Sequence, residues 1–336
     1  MKSPLISSPA PLLDPANRRI DYLRLSLTDQ CNERCLYCSP QKGSGSLRRE
    51  SVLTPDAILR IVQAATALGF RKFRLTGGEP LLRPDIVEIA QRLWDEPGVE
   101  ALGMSTNGMR LAPLARSLKQ AGMRSVNISL DALDAALYHR ITGGRLEPVL
   151  EGIRAAIAAG FEQVKLNCVL LRGLNENQIR PLILFAAEHQ VPLRFIELMP
   201  LTSCHATYDA RFISADEIME WIARDESIEP APLMRLGHGP AQYYRLGKSG
   251  ATVGFVRALS DCAFCERCNK LRLTSRGELL PCLGRDGAID LRGALADPQA
   301  DLELLLRQAI ANKPLHHGFG QISISPQPRP MVAIGG

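Results

Sequence analysis

The chain has 336 residues, 46% of them hydrophobic, with 40 Lys and Arg against 35 Asp and Glu for a net charge of +5. That is enough chain for one large domain with an appendix, or two modest domains, built around a sizeable core. No apolar run approaches the ~18 residues of a membrane span, the N-terminal stretch has no secretory apolar region, and so mild a charge selects neither nucleic acid nor a membrane as partner.

Residues 1–17, rich in Ser and Pro, are expected to form a mobile tail. From about residue 21 to 200, strand-like and helix-like segments alternate. Strands are expected at 22–28, 72–77, 101–106, 124–130, 163–171 and 193–199. The helix after the first strand carries its own punctuation, with Thr54 as N-cap, Pro55 in the first turn and Gly69 past the end. Six such units imply a parallel sheet with helical crossovers. A partial TIM-like (βα)6 barrel is the economical closure, although a flat doubly wound sheet fits the same pattern. Beyond residue 200 come a helix from Ser214, the strand-like AQYYRL and ATVGFVRAL, a cysteine-rich segment and a helix at DLELLLRQAIAN. The expected division is a core over 18–225 and a smaller α+β region over 226–336.

The strands carry a second pattern. Leu23, Leu25 and Leu27 alternate with Arg24, Ser26 and Thr28, and Phe73 and Leu75 with Lys72, Arg74 and Thr76. In the fifth strand Lys165 and Asn167 oppose Leu166 and Cys168, and Arg194 opens the sixth. Buried parallel strands are ordinarily apolar on both faces, so inward cations in several strands point to a polyanionic ligand in the lumen.

Cysteines fall in two groups. Cys31, Cys35 and Cys38 are spaced C-x3-C-x2-C just after the first strand, at the carboxyl end where parallel α/β folds bind ligands. Structural zinc takes four protein ligands, whereas three thiolates hold three irons of a [4Fe–4S] cubane and leave the fourth open to a chelating ligand. Cys265, Cys268 and Cys282 form a second trio, which Cys262 turns into a candidate four-cysteine zinc site. Cys168 and Cys204 stand alone and read as buried small apolar residues. The group usage fits a reducing, cytoplasmic setting.

The first trio, with Tyr37 before its last cysteine, resembles the radical S-adenosylmethionine (SAM) superfamily. TGGEP at 76–80 resembles that superfamily's glycine-rich segment, where backbone approaches the methionine amino group. CNKLRLTSRGELLPCL further resembles the C-terminal signature of the MoaA family, the GTP 3′,8-cyclases of molybdenum cofactor biosynthesis. STNG, NISLDALD, RFIELMP, KPLHH and the terminal IGG follow in that family's order.

The resemblance implies two [4Fe–4S] clusters, one on Cys31, Cys35 and Cys38 and one on Cys265, Cys268 and Cys282. It implies SAM contacts from Tyr37, Gly78, Ser129 and Met199, and GTP contacts from Arg24, Lys72, Arg74, Ser105, Lys165, Arg194, Lys270 and Arg272. Gly335 and Gly336 would form a tail inserted toward the site. A 5′-deoxyadenosyl radical would abstract the C3′ hydrogen of GTP, and the ribose radical would attack guanine C8. The implied partners are GTP, an external low-potential electron donor and a downstream cyclic pyranopterin monophosphate synthase, with no nucleic acid and no membrane. The expected state is a monomer or homodimer. Lys270 stands where the family usually has Arg, whose planar fork binds two oxygens at once. The alternatives are a radical SAM enzyme with one auxiliary cluster acting on a peptide or different nucleotide, and a zinc-stabilised nucleic-acid-binding protein. His316 and His317 read as surface or packing residues.

Overall fold

The structure, a computed structural model, describes residues 12–38, 52–201, 208–232, 234, 236–319 and 331–335. Six core strands fall where the alternation places them: β1 (Tyr22–Ser26), β2 (Lys72–Thr76), β3 (Ala101–Thr106), β4 (Ser125–Ser129), β5 (Gln163–Val169) and β6 (Leu193–Ile196). They pair in parallel in chain order. Helices intervene at Pro55–Ala67, Ile86–Asp95, Leu111–Gln120, Leu146–Ala158 and Ile179–Glu188. The first begins as expected, the Thr54 side chain accepting from the Ala57 N–H.

The C-terminal region adds strands to both edges of this sheet. The later strands are β7 (Ile228–Pro230), β8 (Gln242–Leu246), β9 (Thr252–Val256), β10 (Lys270–Leu273), β11 (Glu278–Leu280) and β12 (Ile289–Asp290). β9 joins β6 in parallel and is followed by antiparallel β8 and β7. β10 joins β1 in parallel and is followed by antiparallel β11 and β12. The result is a single 12-stranded sheet of order β12-β11-β10-β1-β2-β3-β4-β5-β6-β9-β8-β7.

This sheet is strongly curved. At about 4.8 Å per strand, a flat sheet would hold β1 and β8 roughly 34 Å apart. Yet one cavity is bordered by Tyr22 of β1, Arg74 of β2, Ser125 of β4, Gln163 of β5 and Tyr243 of β8. The (βα)6 unit is therefore the partial barrel expected, widened by a parallel strand at either side.

The hydrophobic core lies between the sheet's outer face and the helices. Leu23, Leu25, Phe73, Leu75, Leu166 and Cys168 pack outward against Ile58, Ile61, Val62, Ile89 and their equivalents. Full burial of each large side chain stabilises by about 1.5–3 kcal/mol. Cys168 thus fills a core position, as expected; Cys204 lies outside the described residues. Among the described residues no helix is long and apolar enough to cross a membrane.

Candidate active site

The inner face of the sheet is polar along its length. Register places Arg272, Arg24 and Arg74 side by side on β10, β1 and β2. A neighbouring row runs Ser105–Asn127–Lys165 across β3, β4 and β5. Parallel neighbours in register share a face, so the inward cations expected from alternation converge in one lumen. Two glycines make room for them. A Cβ on Gly103 would press on Ser125 Oγ and the Arg74 guanidinium, and one on Gly254 would press on Tyr243 and the Arg194 stem.

Arg74 is held on three sides. Its Nε donates to the Tyr22 hydroxyl (2.6 Å), Nη1 to the Met104 carbonyl (2.7 Å) and Nη2 to Ser125 Oγ (3.2 Å). Arg194 donates from Nε and Nη2 to Asn167 Oδ1 at 2.9 and 2.6 Å. Lys165 donates to Gln163, and Lys270 lies 5.7 Å from the Tyr22 ring centroid. Lys72 differs, because Asp21 already pairs with it at 2.8 Å. Among the described residues Arg74, Lys165, Arg194, Lys270 and Arg272 form no ion pair with a carboxylate.

The electrostatic consequence is large. Burial, and then Arg194 and Arg74, push Lys165 down to about 7. Burial, then chiefly Arg272, pushes Arg24 down to about 9, with Arg74 and Arg194 adding to it. Burial likewise brings Lys270 to about 8. An uncompensated buried charge costs several kcal/mol, more than any one core leucine returns. Such a group of cations is built for an anion.

The two cysteine trios lie at opposite mouths of this lumen. Cys31, Cys35 and Cys38 follow the carboxyl end of β1. Gly78 follows β2, Ser129 ends β4 and Met199 lies just beyond β6, so these three share that mouth with Tyr37, the fourth residue expected at SAM. Cys268 precedes β10, which runs parallel to β1. β11 returns antiparallel and delivers Cys282 to the same end, beside the strand starts. Five residues of β1 separate the mouths, about 17 Å at 3.3 Å per residue.

Around the first trio, Cys38 N–H donates to the Cys35 carbonyl (3.0 Å). The TGGEP segment is laced to the stretch before the cysteines by Gly78 N–H to Thr28 O (2.6 Å) and Glu79 N–H to Gln30 O (2.7 Å). A Cβ on Gly78 would overlap the Gln30 carbonyl, so that position accepts only glycine without displacement. The Tyr37 hydroxyl donates to Asp131 Oδ2 (2.6 Å). Three buried acids that sequence reasoning missed surround this mouth. Burial raises Glu33 and Glu79 to about 7 and Asp131 to about 6. Glu79 accepts from Thr106 Oγ1 and from the Asn107 and Leu81 N–H groups. Its place in TGGEP was the signal that could have found it.

The second trio has basic surroundings. Burial raises Cys268, but Lys313 and Lys270 outweigh it and hold the thiol below its usual value. Lys313, itself buried, donates to the Lys270 and Pro281 carbonyls at 2.9 and 2.6 Å, joining the two segments that carry Cys268 and Cys282. Arg18 donates to the Cys265 carbonyl (2.8 Å), and the His317 N–H to Cys265 Sγ (3.3 Å). His317 is a packing residue, as expected, with its backbone turned to the trio. Gly335 reaches into the lumen, its carbonyl accepting from Arg272 Nη1 (2.6 Å); Gly336 lies outside the described residues.

Both trios suit iron–sulfur clusters by their donor chemistry. Cys35 is pushed well up by burial, then by Glu33, Cys38, Asp131 and Cys31, as expected of sulfurs crowded together. Cys265 is raised by burial and by Cys282 and Cys268. All six are free thiols. Among the described residues no three ligands converge on a single metal ion; a cubane instead spreads its thiolates over separate irons. Cys262 is an exposed free thiol beside the second trio.

Comparison with known proteins agrees with this geometry. Residues 25–186 match the radical SAM superfamily, and residues 191–319 match Molybdenum Cofactor Synthesis C. The chain is 42% identical to the GTP 3′,8-cyclase of Pelotomaculum thermopropionicum, over 90% of this chain and 94% of that one. It is also 42% identical to the GTP 3′,8-cyclase of Moorella thermoacetica, over 96% of this chain and 99% of that one. Among solved structures, Streptococcus suis SuiB bound to S-adenosylmethionine shares the fold with a TM-score of 0.57 at 15% identity, covering 84% of this chain and 65% of that one.

Proposed function

We infer that this chain, which belongs to the GTP 3′,8-cyclase family of radical SAM enzymes, is a lyase that joins C3′ and C8 of GTP to give (8S)-3′,8-cyclo-7,8-dihydroguanosine 5′-triphosphate. This is the first step of molybdenum cofactor biosynthesis. Its cofactors are SAM and two [4Fe–4S] clusters. The observation that carries the reading is that Arg74, Lys165 and Arg194, buried in the lumen between two free-thiol trios, have no carboxylate partner among the described residues. When bound, SAM and the first cluster supply the 5′-deoxyadenosyl radical that takes the C3′ hydrogen.

The protein's own contribution is binding, orientation and exclusion of water. Arg24, Arg74, Lys165, Arg194 and Arg272 are proposed to hold the triphosphate, with Lys72, Lys270 and Ser105 beside them. Arg74 is pre-organised by its three partners, so little side-chain freedom is lost when phosphate docks. Cys265, Cys268 and Cys282 would carry the second cluster near the guanine, with Lys313 fixing the two segments that bear Cys268 and Cys282. Holding both ends of the nucleotide leaves the ribose in the middle of the lumen, where proximity rather than acid–base chemistry lowers the barrier.

At the other mouth Tyr37, Gly78, Ser129 and Met199 are proposed to contact SAM, a sulfonium cation suited to the acidic surroundings of Glu33, Glu79 and Asp131. Gly335 and Gly336 are proposed to close the lumen over the substrate beside Arg272. An external low-potential donor supplies the electron, a cyclic pyranopterin monophosphate synthase consumes the product, and the setting is cytoplasmic. Residues 18–225 and 226–336 are proposed as core and auxiliary-cluster regions, joined through one sheet.

The test is anaerobic turnover with GTP deuterated at C3′, followed by mass analysis of 5′-deoxyadenosine. Deuterium in that product only when GTP is present is the expected result. Undeuterated 5′-deoxyadenosine, formed with or without GTP, would leave a radical SAM enzyme of another substrate.

A further inference from the structure

The sequence motifs leave one built feature unused. A cavity of about 1030 Å³ lies at the strand-start mouth. Tyr22, Lys72, Ser125 and Gln163, which open their strands, form its inner wall, and exposed Glu100, Glu162 and Arg267 border it on the solvent side. Its cover is the short segment Leu236–Pro240. The Leu236 carbonyl accepts from the Tyr243 hydroxyl (3.3 Å), which anchors one end of the segment to β8. Gly237 has φ +85°, and a Cβ there would lie 2.9 Å from Lys165 Nζ; one on Gly239 would lie 3.9 Å from Arg194 Nη1. Backbone thus lies directly over two of the lumen cations. His238 is exposed and meets the Tyr22 ring edge-on, 6.4 Å between centroids at 74°.

We propose that GTP reaches the lumen through this strand-start mouth, independently of SAM, and that His238 on the Leu236–Pro240 segment gates its passage. The proposal rests on the cyclase reading. Lys72 and Arg74, two of the cations expected to hold the triphosphate, line this cavity, and Lys165 and Arg194 lie against its cover, whereas a nucleotide coming from the cysteine-loop mouth would first have to pass the level of Tyr37, Gly78, Ser129 and Met199. The route also matches charge. Behind the strand-start mouth stand Arg74 and Lys165, past a solvent rim of mixed charge (Glu100, Glu162 and Arg267) and a Lys72 already paired with Asp21, whereas the opposite mouth buries Glu33, Glu79 and Asp131. His238 borders the cavity next to Gly237, where a Cβ would lie 2.9 Å from Lys165 Nζ, so its side chain stands on the approach without adding a carboxylate to it.

The experiment uses the holoenzyme with both clusters, under anaerobic conditions, and follows radiolabelled GTP association by rapid mixing. Saturating SAM is expected to leave the wild-type association rate within about twofold. The bulky His238→Trp is expected to slow it by about tenfold or more while SAM affinity stays unchanged. A tenfold slowing of GTP association by prebound SAM, or an unaltered rate in His238→Trp, would overturn the route. Should His238→Trp lose iron, His238→Ala takes its place. With the gate opened, GTP dissociation should quicken by about threefold or more, and an unchanged rate refutes the gate. Failure of the wild-type holoenzyme to bind GTP at all would instead refute the cyclase reading.

Discussion

The two mouths of the lumen are built with opposite chemistry. The cysteine-loop mouth buries acids: Glu33 and Glu79 at about 7 and Asp131 at about 6, each raised by desolvation. The strand-start half buries bases: Lys165 at about 7 and Arg24 at about 9, each lowered by desolvation and by one another's neighbours. Both arrangements cost folding free energy, because each half holds its charges away from water. The acids offset part of that cost locally, with Glu79 taking three hydrogen bonds. Lys165 forms no ion pair among the described residues and donates instead to the neutral Gln163 side chain. The difference shows how one lumen can sort a sulfonium from a polyanion by position alone.

Removing one thiolate from each trio tests that separation most severely. Cys35→Ala should abolish SAM cleavage by about 10³-fold or more while GTP binding persists. Cys268→Ala should do the converse, with cyclised product lost by about 10³-fold and slow 5′-deoxyadenosine formation retained. Both products are read by chromatography and mass. If either variant loses both functions despite retaining the other cluster's iron, the halves are not separable.

Backbone space is the next lever. Gly78→Ala would thrust a methyl into the Gln30 carbonyl, and SAM affinity should fall by about 10–100-fold, with a cost of roughly 1–3 kcal/mol. GTP affinity should not follow. On the basic side, Arg74→Gln removes a charged group bound at three points, and KM for GTP should rise by about 10–100-fold. Equilibrium dialysis of both ligands against both variants gives a crossed pattern if the mouths are independent, and a uniform loss if they are not.

Acidity supplies a milder probe. Free Lys165 sits near 7, and an adjoining triphosphate would raise it. Lysine must therefore take up a proton as GTP binds above neutrality. From pH 7 upward GTP affinity should weaken, by up to about tenfold per pH unit, until the raised value in the complex is reached. Lys165→Met should bind more weakly and show a flatter profile. SAM affinity over the same range provides the comparison. The smallest effect is expected at the rim: Lys270→Arg, which replaces a point charge with a two-pronged donor, should strengthen GTP binding by about two- to fivefold.

Much of the site was legible because its signals are local. Cys31, Cys35 and Cys38 lie in one loop, and Tyr37 and Gly78 belong to short motifs. Alternation alone put Arg24, Arg74 and Lys165 inward, since side chains in a strand must change face at every residue. Other residues carry no such signature. Tyr22, Lys313 and His238 each act across long stretches of chain: Tyr22 on Arg74, Lys313 on the Lys270 and Pro281 carbonyls, His238 on Tyr22. Arg18 is similar, since it bonds the Cys265 carbonyl 247 positions away.

By itself, then, the sequence determined the parallel (βα)6 order, the inward set of cations and the grouping of Cys31, Cys35 and Cys38, each through periodicity or spacing within a few residues. The choice of Cys265, Cys268 and Cys282 over a set that includes Cys262 came from the family resemblance. Only the tertiary structure decided that β9 and β10 complete the wall, one at each edge of the core sheet. It also decided that the trios face each other from opposite mouths. Those relations follow from strand pairing between distant segments, where register and direction are set by backbone hydrogen bonds rather than by any local pattern.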